Sequence, residues 1–226
     1  MESGRHILGT FDDALTSLRN NVLTMATLTE RSLNNAMDGL VRRDDELCTR
    51  AIADDAEINE LEKQIDKDGI DVLLRFQPVA SDLRRVISAI KLNSNLERVA
   101  DQAVSIGRRA RKLNAHPALL EVELVQPMHR HASSMLRDSV DAYMREDAAL
   151  AREIKPRDKL LDEMNSAAGR TLTQRMAEDP EQLRGYLNLM FIACCLERVG
   201  DHATNIAEDA VYAVAAEDIR HLHGAR

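Results

Sequence analysis

The feature that most narrows what this 226-residue chain can fold into is an internal duplication. Leu96-Glu97-Arg98-Val99-Ala100-Asp101 returns as Leu196-Glu197-Arg198-Val199-Gly200-Asp201. Upstream, Asp82-Leu83-Arg84 is answered by Gln182-Leu183-Arg184 at the same spacing. Further back, Arg43-Asp44 matches Glu146-Asp147, and Asp55 to Leu61 matches Asp158 to Met164. The offset there is slightly larger, so a short length difference lies between the two blocks. A repeat of this size, holding three long helical patterns per copy, predicts two stacked units and not a short-repeat solenoid.

Composition sets the type of element. There is no Trp, and Tyr and Phe number three each, whereas strands lean on aromatic and β-branched residues. The fold expected is all-α: two tandem pseudo-symmetric three-helix bundles made of six long helices, in repeats spanning 1–114 and 118–226. The helical patterns fall near 9–43, 44–75, 79–113, 119–146, 147–178 and 180–217. Gln77-Pro78 closes one helix and opens the next, because proline suits a first helical turn. Asp179-Pro180-Glu181-Gln182 reads as a capped N-terminus. Asn114 to Pro117 is the expected link between halves. Pro156 falls inside the fifth pattern, where a helix kinks or begins.

A net charge of −8 and a pI near 5.4 argue against nucleic acid as a partner. The one basic run, Arg108-Arg109-Ala110-Arg111-Lys112, ends a helix, where cations complement the negative helix terminus. The longest apolar run, Leu189 to Leu196, falls short of the roughly 20 residues a membrane span needs. No charged-then-apolar leader opens the sequence. A cytoplasmic protein without membrane insertion is expected. Cys48, Cys194 and Cys195 fit a reducing compartment as small apolar fillers.

The carboxylates of the signature carry the functional argument. At about 100° per residue, Glu197 and Asp201 continue the stripe of Leu183, Leu187, Met190 and Cys194. Glu97 and Asp101 likewise continue Leu83, Ile87 and Ile90. A second stripe, Leu196, Val199, Ala203 and Ile206, faces the other way, so both helices are expected to be well buried. Acids four residues apart share a helix face and repel unless a proton, an arginine or a cation intervenes. Arg98 and Arg198 are the local counter-ions available. The preceding helix of each half carries a further set: Asp158 and Asp162 in one, Asp55 and Asn59 in the other, with Glu62 and Asp66 following. Four oxygen donors per half would suit magnesium, manganese, calcium or oxidised iron. His202 lies about 100° round the helix from Asp201 and reads as a surface histidine. His129 and His131 are weak candidates for a phosphorelay. No nucleophile is assembled with a base.

These residues resemble the PhoU family. The resemblance rests on Asp-Ala-Glu-Ile-Asn at 55–59, Gln-Pro-Val-Ala-Ser-Asp-Leu-Arg at 77–84 and Leu-Glu-Arg-Val-Ala-Asp-Gln-Ala at 96–103. It continues with Glu-Asp-Pro at 178–180 and Leu-Glu-Arg-Val-Gly-Asp-His-Ala-Thr-Asn-Ile-Ala-Glu at 196–208. It covers nearly the whole chain, in order, in both halves. It implies two three-helix bundles that form a homodimer and bind iron, zinc, manganese or magnesium. It also implies a negative regulator of the phosphate-starvation response and of phosphate uptake, joining the phosphate transporter ATPase subunit to a sensor histidine kinase. Carried over, one cluster uses Asp55, Glu97 and Asp101, and the other Asp158, Asp162, Glu197 and Asp201. Asn59 stands where the family has a second Asp; it keeps an oxygen donor without the charge. Gln102 and Ser105 stand opposite His202 and Asn205. No catalytic role is expected. The competing readings are a metal-dependent enzyme, a phosphohydrolase or iron oxidase, and a metal-free helical scaffold.

Overall fold

The computed structural model describes residues 2–220, with side chains from Thr10 onward. Six long helices follow one another: α1 (Glu2–Val41), α2 (Asp45–Phe76), α3 (Ala80–Asn114), α4 (Val125–Arg145), α5 (Ala148–Glu178) and α6 (Leu183–Ala215). Among the described residues there is no strand, and no helix is long and apolar enough to cross a membrane. Helices α1, α2 and α3 pack together, as do α4, α5 and α6, and α3 lies along α6 to join the halves.

The repeated dipeptides Arg43-Asp44 and Glu146-Asp147 turn out to be matching corners. Arg43 and Glu146 adopt left-handed backbone, with φ of 57° and 55°. The Asp that follows caps the next helix. Asp44 Oδ1 accepts from the Glu46 and Leu47 amides at 2.9 and 3.2 Å, and Asp147 Oδ1 from the Ala149 and Leu150 amides at 3.0 Å. Each cap satisfies amides that a helix start leaves unpaired. It also fixes where α2 and α5 begin, so Asp55 and Asp158 fall at the same place, three helical turns on.

Two expected helix starts shift for physical reasons, and Pro156 does not mark the kink or start expected of it. α4 starts only at Val125, after a 3-10 turn at Leu120–Leu124, which leaves Pro127 in the first turn, where its missing N–H does no harm. α5 runs unbroken through Pro156, whose exposed position leaves the freed carbonyl to solvent. Asp179 makes no side-chain cap; Pro180–Gln182 is a 3-10 turn and α6 begins at Leu183.

Burial separates the two stripes, which were both expected to be well buried. Leu196, Val199, Ala203 and Ile206 are fully buried, as are Leu92, Leu96 and Val99. Each of these Leu, Val and Ile side chains contributes about 1.5–3 kcal/mol on burial. The other stripe is the outer one: Leu83, Leu183 and Leu187 are about two-fifths exposed. The signature carboxylates therefore continue a half-buried edge and do not interrupt the core.

α3 and α6 run antiparallel, and polar pairs tie them at intervals. Lys91 Nζ meets Asp209 Oδ1 at 2.9 Å, His202 Nδ1 lies 3.0 Å from Asn95 Oδ1, and Arg109 stacks on Phe191 at 4.6 Å. His129, on α4, lies 3.0 Å from Asn34 Oδ1 of α1 and links the halves a second time.

Asp44→Ala and Asp147→Ala are each expected to cost about 1 kcal/mol in urea denaturation. Asp179→Ala, which removes no cap bond, should stay within about 0.5 kcal/mol.

Candidate metal centre

In the second half the cap at Asp147 places Asp158 and Asp162 on one face of α5, and the helical repeat places Glu197 and Asp201 on one face of α6. Gly200 lets the helices meet there. A Cβ at that position would lie 2.4 Å from Leu161 Cδ2 and 3.2 Å from Asp158 Oδ1. Leu161 is fully buried beside it. The close approach thus seats Asp158 against the α6 backbone between Glu197 and Asp201.

The electrostatics record the cost. Burial first, then Asp201 and Asp162, push the Asp158 carboxyl up to about 6. Burial and then the neighbouring acids raise Glu197, and burial and then Asp162 raise Asp201. Asp158 Oδ1 is buried without a hydrogen-bond partner among the described residues. Arg198, the counter-ion available from sequence, is exposed and pairs with neither carboxylate there. His131, from α4, adds a favourable interaction with Asp158 while its Nε2 bonds the Arg157 carbonyl at 2.9 Å. Sequence spacing alone gave no reason to place His131 here, because it arrives from a third helix.

The first half assembles the same elements and neutralises them differently. Asn59 Nδ2 donates to Asp55 Oδ2 at 3.2 Å. Arg98 reaches both signature acids, Glu97 at 3.2 Å and Asp101 at 3.4 Å. Burial and then Asp101 raise the Glu97 carboxyl, with Glu62 and Asp55 adding and Arg98 opposing. Asp66 is drawn away to Asn93 Nδ2 at 2.9 Å. One cluster therefore carries its own cation and the other does not.

The donor set of the second cluster, oxygen only with an orphaned buried carboxylate atom, fits a hard cation. Among the described residues no three His, Cys, Asp or Glu side chains close on a single point. His202 is half-buried and turned to Asn95 of α3, so it is not the surface histidine expected. Burial lowers its imidazole, and that of His129, below the usual range. The basic run divides: Arg111 and Lys112 occupy the last turn of α3, whereas Arg108 and Arg109 line a cleft between α3 and α6.

Comparison with known proteins adds to this geometry. The profile of the PhoU domain matches residues 22–110 and again 125–210. A Pseudomonas putida protein described as a phosphate-specific transport system accessory protein PhoU homolog is 37% identical over 221 residues, 96% of this chain and 85% of that protein. A Serratia marcescens protein described as the accessory protein PhoU is 37% identical over 223 residues, 97% of this chain and 90% of its own length. The crystal structure of PhoU from Pseudomonas aeruginosa superposes with a TM-score of 0.89 at 35% identity, over 92% of this chain and 100% of that one.

Asp158→Asn tests the uncompensated charge. Above about pH 6 the folded protein holds an Asp158 carboxylate that burial and its neighbours disfavour. Below about pH 4 the group is protonated in folded and unfolded states alike. Its penalty therefore fades as pH falls from about 6 to about 4. The metal-free variant should be more stable than the parent at pH 7, by on the order of 1 kcal/mol after solvent screening. The difference should vanish by about pH 4, as read from denaturation midpoints across that range.

Proposed function

The chain belongs to the PhoU domain family, and on that footing we propose that it is a non-enzymatic accessory protein of a phosphate-specific transport system. In this reading it holds back the phosphate-starvation response and phosphate uptake when phosphate is plentiful. Its partners are the transporter ATPase subunit and a sensor histidine kinase, and it acts as a homodimer in the cytoplasm. The observation that carries the reading is the end-to-end likeness, in both halves, to proteins described as accessory to such transport systems.

The clusters fit this role as cation sites. Each repeat, 1–114 and 118–226, carries its own. Asp158, Asp162, Glu197 and Asp201 would hold a cation in the second, with iron, zinc, manganese and magnesium as the candidates. Asp55, Asn59, Glu97 and Asp101 would do so in the first, where Arg98 competes for two of the carboxylates. A bound cation supplies positive charge where α5 and α6 bring acids together. The chain's own part is to position those acids: the Asp147 cap sets the phase of α5, and Gly200 sets its distance from α6.

Two measurements test the reading. Removal of the gene in its host should leave phosphate-regulated genes switched on in phosphate-rich medium; unchanged repression would overturn the regulatory role. Purified protein should gain several degrees of thermal midpoint on saturation with one of these cations. Glu197→Gln with Asp201→Asn should abolish most of that gain, and Glu97→Gln with Asp101→Asn should remove less.

A further inference from the structure

Where α3 passes α6 near Ser105 and Cys195, a cleft of about 470 Å³ opens between them. That volume lies within the usual span of small-molecule sites, about 300–1,000 Å³. Three arginines line it: Arg108 and Arg109 from α3, and Arg198 from α6. Acidic residues outnumber Lys and Arg by 38 to 30 in this chain, and arginines elsewhere find carboxylates readily. Arg31 pairs with Asp54 at 2.8 Å, Arg85 with Glu146 at 3.0 Å and Arg157 with Asp138 in the same way. Among the described residues the three cleft arginines make no ion pair and donate no hydrogen bond.

Arg109 is the most constrained of them. Its guanidinium lies 4.6 Å over the Phe191 ring, a contact that uses none of its N–H donors. Its Nε is buried and unpartnered. A desolvated cationic donor is costly until an acceptor reaches it. Ser105 and Gln102 add neutral polar groups to the wall. Asp55 and Asp101 also stand there, but Asn59 already donates to Asp55 and Arg98 already pairs with Asp101. Three guanidiniums against two engaged carboxylates leave the cleft net positive in a protein of net charge −8.

We propose that this cleft binds a small dianionic oxyanion of the phosphate type, gripped by Arg109 and Arg198 with Arg108 at its mouth. Guanidinium forks match such oxygens with paired, charge-assisted hydrogen bonds. The anion is inorganic phosphate itself or the terminal phosphoryl group of a small metabolite. The cleft shares Asp55 and Asp101 with the first acidic cluster, but its anion-binding groups are the arginines, so the proposal does not rest on cation binding or on the regulatory reading.

The test is titration of the full-length protein with inorganic phosphate and, separately, with ADP. Chelator is present throughout and ionic strength is held constant with chloride. Calorimetry and the thermal midpoint should both show saturable binding of at least one of the two. Phosphate binding identifies the free ion as ligand, and binding of ADP alone identifies a phosphorylated metabolite. Arg109→Gln and Arg198→Gln should each weaken affinity by about tenfold or more. Arg111→Gln, on the same helix but outside the cleft, should leave it unchanged. Because exposed Arg198 has no protein partner to lose, Arg198→Gln should keep the ligand-free midpoint, whereas Arg109→Gln also gives up the contact with Phe191. Should Arg109→Gln fail to fold, the exposed Arg198→Gln carries the test alone. No saturable response to either probe, or equal weakening by Arg111→Gln, would overturn the proposal.

Discussion

The antiparallel packing of α3 on α6 is the contact on which the rest of the molecule depends. It joins the two bundles, and the buried Leu92, Leu96, Leu196, Val199 and Ala203 of the same two helices belong to one continuous core. It also leaves polar side chains that must find partners across the seam. Lys91 with Asp209 and Asn95 with His202 do so. Arg109 finds only the face of Phe191. Both acidic signatures ride on these two helices, so the seam that supplies stability also positions the chemistry.

The two halves use one plan with different charge balance. In the first, Arg98 turns back onto Glu97 and Asp101, and an amide replaces one acid at Asn59. In the second, the equivalent arginine stays in solvent and a buried Asp158 oxygen is left without a donor. Repulsion among like charges at half-buried positions is a standing cost unless something offsets it. Arginine offsets it in one half. In the other the cost remains, and it shows in the raised Asp158, Glu197 and Asp201 carboxyls.

Much of this was legible in the sequence, for reasons that can be named. The pairing of Glu197 with Asp201 and of Asp158 with Asp162 follows from helical spacing alone. The six helices follow from composition and from turn residues such as Gln77-Pro78. Periodicity could not decide which of two apolar stripes on α6 faces the core, because both satisfy the same pattern; the neighbouring helices decide it, and they chose Leu196 and Val199. Asp179 carried the right residue type for a cap, but the 3-10 turn after it withholds the geometry. Arg108 and Arg109 looked like ordinary helix-end charge, since nothing in one helix reveals that Phe191 and Arg198 come to meet them from another. His131 was out of reach for the same reason.

The matching corners at Arg43-Asp44 and Glu146-Asp147 have a consequence for how the two copies have diverged. Between each corner and the first acid of its cluster the chain is a single uninterrupted helix, and one residue added or lost there would swing the acid by about 100°. That stretch has kept its length in both copies while most of its letters changed. The length difference between the halves falls instead beyond the acids, towards the turns at 77–79 and 179–182, where helix phase no longer reaches the cluster. Duplication therefore left two clocks set at the same hour: the side chains on them were free to drift, but the gearing between corner and cluster was not.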